Sequence, residues 1–112
     1  MVNFYSSTLY LTVPKVEVKV RLFTTLREIA NKKEETLTFP DNQKVTVGAA
    51  LKTLAEKYGD PFADYLYDAK TGQPKSFLQF LVNGASTSTL DGLETELKDG
   101  DVLAILPPVG GG

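Results

Sequence analysis

Apolar and polar positions alternate most cleanly over Val16-Glu17-Val18-Lys19-Val20-Arg21-Leu22-Phe23. A period of two predicts a strand with Val16, Val18, Val20 and Leu22 on one face and Glu17, Lys19 and Arg21 on the other. Phe23 falls on the polar face, and two readings of it stay open: cover at a strand end, or contact with a partner. The chain then leaves the strand over residues 24–30, and residues 31–35 read as a polar turn. Thr36-Leu37-Thr38-Phe39 alternates again as a second strand, stopped by Pro40-Asp41. The period changes at Thr46, a good N-cap, after which Val47, Ala50, Leu51, Leu54, Ala55 and Tyr58 recur at helical spacing. This predicts a main helix from Val47 to Tyr58, with Gly59 at its C-terminus and Asp60-Pro61 ending it.

Residues 62–67 form a short amphipathic stretch with helical character, and residues 68–74 a loop. Phe77 to Val82 is an apolar strand, and Asn83-Gly84 is a strong hairpin signal leading to a brief edge strand over residues 85–89. A connection from Leu90 to Leu97 and a tight turn at Lys98-Asp99-Gly100-Asp101 lead to the last strand, Val102 to Leu106. Before all of this, residues 1–15 make an N-terminal extension, β-prone through Phe4, Tyr5, Leu9, Tyr10, Leu11 and Val13 and closed by Pro14. It reads as an arm or as an extra edge strand. Domain organisation is therefore an extension (1–15), one folded domain (16–106) and a tail (107–112).

The tail is Pro107-Pro108-Val109-Gly110-Gly111-Gly112. The two prolines stop the ladder, because proline has no N–H to donate and restricts the residue before it. The glycines bury nothing, so the segment reads as a flexible arm that carries a free carboxylate. Its six residues, fully extended, reach roughly 20 Å.

Composition narrows the chemistry. The chain has no Cys and no His, which removes disulfides, a thiol nucleophile, the usual zinc ligands and a Ser-His-Asp triad. A net charge of −2 with both signs interspersed gives no basic stripe for nucleic acid. No apolar run has the length of a membrane span, and no signal peptide is evident, so the cytoplasm is expected. Two carboxylate pairs, Glu34-Glu35 and Asp99 with Asp101, have no His, Cys or metal partner and read as solvated turns, as do Asp41, Asp64 and Asp68. No residue reads as an active-site acid.

Three stretches carry a family resemblance: Val20-Arg21-Leu22-Phe23-Thr24-Thr25-Leu26-Arg27-Glu28, then Val82-Asn83-Gly84, then the run from Leu97 to Gly112 with its Asp99-Gly100-Asp101 turn and Pro107-Pro108-Val109 before the glycines. Through them the chain resembles the MoaD family, the ubiquitin-like small subunit of molybdopterin synthase, within the wider group of MoaD, ThiS and the ubiquitin-related modifiers. The resemblance implies an α+β β-grasp fold, a mixed sheet of about five strands on one main helix. It also implies a non-catalytic sulfur carrier that holds no cofactor. An E1-like adenylating enzyme (MoeB-like) would use ATP to adenylate Gly112, with Gly111 beside it, and sulfur would displace AMP to leave a thiocarboxylate. A large catalytic subunit (MoaE-like) would then pass the sulfur to precursor Z, cyclic pyranopterin monophosphate, in molybdenum cofactor synthesis. Matching positions make Phe23, Leu106, Pro107, Pro108, Val109 and Gly110 the partner-binding residues. Ser86, Thr87, Ser88 and Thr89 depart from the family, which has apolar residues there, and Gly110 stands where a small side chain is usual. Two other functions are compatible with the same residues: a modifier joined to target lysines or serving tRNA thiolation, and a β-grasp interaction domain with an inert tail.

Overall fold

A computed structural model describes residues 14–108; residues 1–13 and 109–112, and with them most of the predicted extension and the Val109, Gly110, Gly111 and Gly112 assignments, lie outside the described residues. The alternation around Val18 becomes strand β1, Lys15–Leu22, whose Val18, Val20 and Leu22 are buried. Glu34–Pro40 is β2, antiparallel to β1 with Val20 opposite Glu35. Gln79–Val82 is β3, Ala85–Ser86 is the two-residue edge strand β4, and Val102–Leu106 is β5. The order across the sheet is β2-β1-β5-β3-β4, with β5 parallel to β1 and every other pair antiparallel. This is the expected mixed five-stranded β-grasp sheet.

The main helix, here α2, runs Val47–Tyr58, with the Thr46 hydroxyl accepting from Ala49 N at 3.1 Å. Val47, Ala50, Leu51 and Leu54 of α2 are buried, in one cluster with Val18, Val20, Leu22, Leu37, Leu103 and Ile105 from the sheet. Each fully buried leucine contributes about 1.5–3 kcal/mol, so α2 is the element the sheet closes on.

Two shorter helices flank α2 in the chain; the sequence pointed to the second, over residues 62–67, but not to the first. Residues 24–30 do more than leave the strand: they form α1, Thr24–Ala30, which buries Leu26 and Ala30. Asp60-Pro61 ends α2 by starting another helix, α3 (Asp60–Leu66), with Pro61 in its first turn and Phe62 and Leu66 fully buried. A proline there costs nothing, since the first turn has no intrahelical partner for its N–H. The edge strand stops at Ser86 because Thr87–Thr89 winds into a 3-10 turn, and Gly92–Glu94 makes a second one. Asn83 and Gly84 adopt φ of 51° and 86°, the left-handed pair that a tight hairpin needs.

The turn reading of Glu34-Glu35 is corrected. Both residues open β2, and Glu35 is buried, on the same strand face as Leu37. Its carboxylate accepts from Lys32 Nζ at 2.8 Å, Lys57 Nζ at 2.6 Å and Tyr58 Oη at 2.5 Å. Burial alone would push this carboxyl up, but the three hydrogen bonds outweigh it and hold it at about 2. The same contact, added to burial, pushes Tyr58 up to about 12. The group is a clamp between β2 and α2.

Candidate functional site

The parallel pairing of β1 with β5 decides where the tail leaves. Leu22 lies opposite Ile105, and on the other flank Gln79 lies opposite Leu106. One step further along β1 is Phe23, whose backbone is still extended (φ −130°, ψ 151°). Alternation therefore carries its side chain to the face opposite Leu22, in one row with Leu106 and Gln79. Along β5, Leu103 and Ile105 are buried on the helix side, while Val102, Ala104 and Leu106 are partly exposed on the open side. Leu81, opposite Ala104, extends this apolar strip. The exposed charged residues of β1, Lys15, Glu17, Lys19 and Arg21, border it. Pro107 is partly exposed and Pro108 exposed, so the tail leaves from the end of the apolar strip, beside Phe23.

Phe23 is held in place from α1. Arg27 Nε donates to the Leu22 carbonyl at 3.2 Å, and its guanidinium lies 5.6 Å from the Phe23 ring centroid. Such a cation–π contact is worth about 0.5–1 kcal/mol at an exposed site. Thr24 turns the chain with φ of 46°, a costly conformation for a β-branched residue. A cleft of about 290 Å³ opens here, lined by Arg21, Leu22, Phe23, Arg27, Lys33 and Glu34. Arg21 and Glu34 are 3.6 Å apart across it, so three cations face one carboxylate, and the rim beside Phe23 is basic.

The far end of β5 explains the remaining motif residues. Asn83 Oδ1 accepts from Val102 N at 2.9 Å, and Asn83 Nδ2 donates to Asp101 Oδ1 at 2.9 Å. Asp101 Oδ2 accepts from Lys98 N, and Asp99 Oδ1 from Glu17 N, each at 2.8 Å. Gly100 N donates to the Glu17 carbonyl at 2.8 Å. Asp99 and Asp101 thus hold β5 against β1 and the β3–β4 hairpin, and fix the register on which the tail's position depends. Neither is placed for acid–base work. No group of three or more metal-ligating side chains comes together among the described residues.

The structure brings Phe23, Leu106, Pro107 and Pro108 to one end of the sheet. It adds Phe77, which the sequence placed inside a strand. Phe77 is in a turn before β3 and is 48% exposed. Its sequence signal was parity with Gln79 and Leu81, the open-face residues of β3.

A β-grasp body with its last strand in mid-sheet, running out to a glycine tail, defines a ubiquitin-like protein. Residues 20–112 match the ThiS family, and the chain belongs to it. It is 36% identical over 97 residues to small archaeal modifier protein 3 of Haloferax volcanii, covering 87% of this chain and all of that protein. The solution structure of small archaeal modifier protein 1 from Methanosarcina acetivorans superposes with a TM-score of 0.73 at 36% identity, covering 88% of this chain and 99% of that one. A putative molybdopterin converting factor subunit 1 from Pyrococcus furiosus gives 0.62 at 28% identity, covering 84% and 99%. Two of these relatives are small modifier proteins by name, and the third is a putative subunit of a molybdopterin converting factor.

Proposed function

We propose that this protein is a sulfur carrier whose terminal carboxylate, on Gly112, is activated by an E1-like enzyme. The carboxylate oxygen attacks the α-phosphorus of ATP and pyrophosphate leaves. A hydrosulfide-equivalent nucleophile then attacks the acyl carbon and AMP leaves, giving a thiocarboxylate. A carboxylate is a poor electrophile, and in this reading ATP and catalysis come from the partner. Three glycines let the arm enter a narrow channel with no Cβ to clash. Gly111 and Gly112 are the reacting end. Phe23, Leu106, Pro107, Pro108, Val109 and Gly110 meet the partner. The acceptor we propose is precursor Z on a molybdopterin synthase large subunit, and the compartment is the cytoplasm, where ATP is available.

The observation that carries this reading is the register that sends Leu106-Pro107-Pro108 out beside Phe23 at the end of an apolar strip. A second reading, a modifier that ends in an isopeptide bond to lysine, is favoured by the names of the Haloferax and Methanosarcina relatives. Both share the adenylate and differ in the nucleophile that follows. Intact-mass measurement of the terminal peptide from native cells tests the proposal: exchange of one oxygen for sulfur is expected. A mass that never shifts, with no conjugates on denaturing gels, would refute both readings.

A further inference from the structure

We infer that Phe77 is a second aromatic anchor for the adenylating enzyme, on the opposite side of the arm root from Phe23. Provided that Gly112 is activated as proposed above, the length of the arm fixes how close that enzyme must come. Six residues follow Leu106, and fully extended they span roughly 20 Å. A channel that encloses the three glycines takes up roughly 10 Å of this. The enzyme's surface around the channel mouth is then within about 10 Å of the end of β5 and must cover whatever flanks it.

The pairing says what does. Gln79 lies opposite Leu106 at the last pair of the antiparallel β3–β5 ladder, and Phe77 stands two residues before it, in the turn that leads into β3, where Leu78 N donates to the Lys75 carbonyl at 3.1 Å. Phe23 lies on the β1 side, one step past the Leu22–Ile105 pair. Neighbouring strands are about 4.8 Å apart, so β1 and β3, which lead to the two aromatics, stand about 10 Å apart on either side of β5. Among the described residues the large hydrophobic side chains left exposed are Phe77 and Leu90. Phe77 also supplies apolar area at the end of β3 that meets the arm, on a chain whose hairpin after Asn83-Gly84 is polar through Ser86 and Ser88. Lys75 lies two residues from Phe77, and Arg21, Arg27 and Lys33 lie around Phe23. The mouth that fits this surface has two apolar pockets and a rim of carboxylates.

The experiment uses the full chain with the E1-like adenylating enzyme of the same genome, and reads ATP–pyrophosphate exchange with labelled pyrophosphate. Phe77→Ser is expected to raise the KM for the carrier about tenfold with kcat unchanged, as loss of an aromatic anchor does. Phe77→Tyr, which keeps the ring, is expected to restore it. Leu90→Ser, equally exposed but beyond β4 and off the β5 ladder, is expected to leave KM as in the wild type. Circular dichroism melting shows that each variant is folded. A KM for Phe77→Ser within twofold of Leu90→Ser overturns the assignment of Phe77 alone. No exchange with the wild type overturns the activation reading, and this inference with it.

Discussion

Glu35→Gln isolates the ionic part of the clamp between β2 and α2. The amide keeps the side chain's shape and still accepts from Tyr58 Oη, but the charge that draws in Lys32 and Lys57 is gone. In the folded protein the carboxyl sits at about 2, against an ordinary value of 4.5. Since the folded value is the lower one, the unfolded chain binds more protons between the two, and stability rises with pH in that window. The contribution is complete above 4.5 and is lost as pH drops towards 2. Taken at face value the gap corresponds to roughly 3 kcal/mol. Lys32 and Lys57 are 49% and 46% exposed, however, and water screens them. The expected loss at neutral pH is therefore about 1–2 kcal/mol, a fall in melting midpoint of roughly 5–10 °C for a domain of this size. Urea denaturation followed by circular dichroism, repeated from neutral pH down to about 3, measures it. The wild-type and variant stabilities should converge as the solution is acidified. A gap that stays constant across the window, or one of only a few tenths of a kcal/mol at neutral pH, would refute the clamp.

Three other substitutions test the frame and the face. Asn83→Gly loses only the hydrogen bonds to Val102 and Asp101, about 1–2 kcal/mol, whereas Asn83→Ala adds about 1 kcal/mol for the left-handed backbone; urea denaturation should rank alanine below glycine. Leu54→Ala empties a fully buried site between α2 and the sheet and is expected to cost about 2–5 kcal/mol in the same assay. Phe23→Asp leaves the melting midpoint within a few degrees but weakens pairing with a pterin-binding large subunit at least tenfold; calorimetric titration that finds undiminished affinity would remove Phe23 from the interface.

How much of this was legible in the sequence depends on whether a pattern is local. β1, α2 and β5 were read correctly because Val18-Val20-Leu22, Val47-Ala50-Leu51-Leu54 and Leu103-Ile105 keep one period over their whole length. α1 was missed because its seven residues bury only Leu26 and Ala30, and it starts on two β-branched threonines with no side-chain cap. It is held instead by Arg27 reaching back to Leu22. Glu35 was read as a turn because it ends a run of five polar residues. Its parity with Leu37 pointed inward, but one of its partners, Tyr58, is 23 positions away on a different element. The anomaly of Phe23 on a polar face was visible from alternation alone. Phe77 was hidden because the apolar run was carried back to include it, whereas β3 begins only at Gln79 and Phe77 lies in the turn before it.

The position of β5 has a mechanical consequence. The strand that carries the arm is bonded on one side to β1 and on the other to β3. A load pulling on Gly112 along that strand, from a tethered substrate or an unfolding motor, would have to shear both ladders together rather than peel one away. The working end of the molecule would then be a firm handle, and traction there should meet more resistance than the same force applied at Ser86 in the edge strand β4, which is bonded to β3 alone.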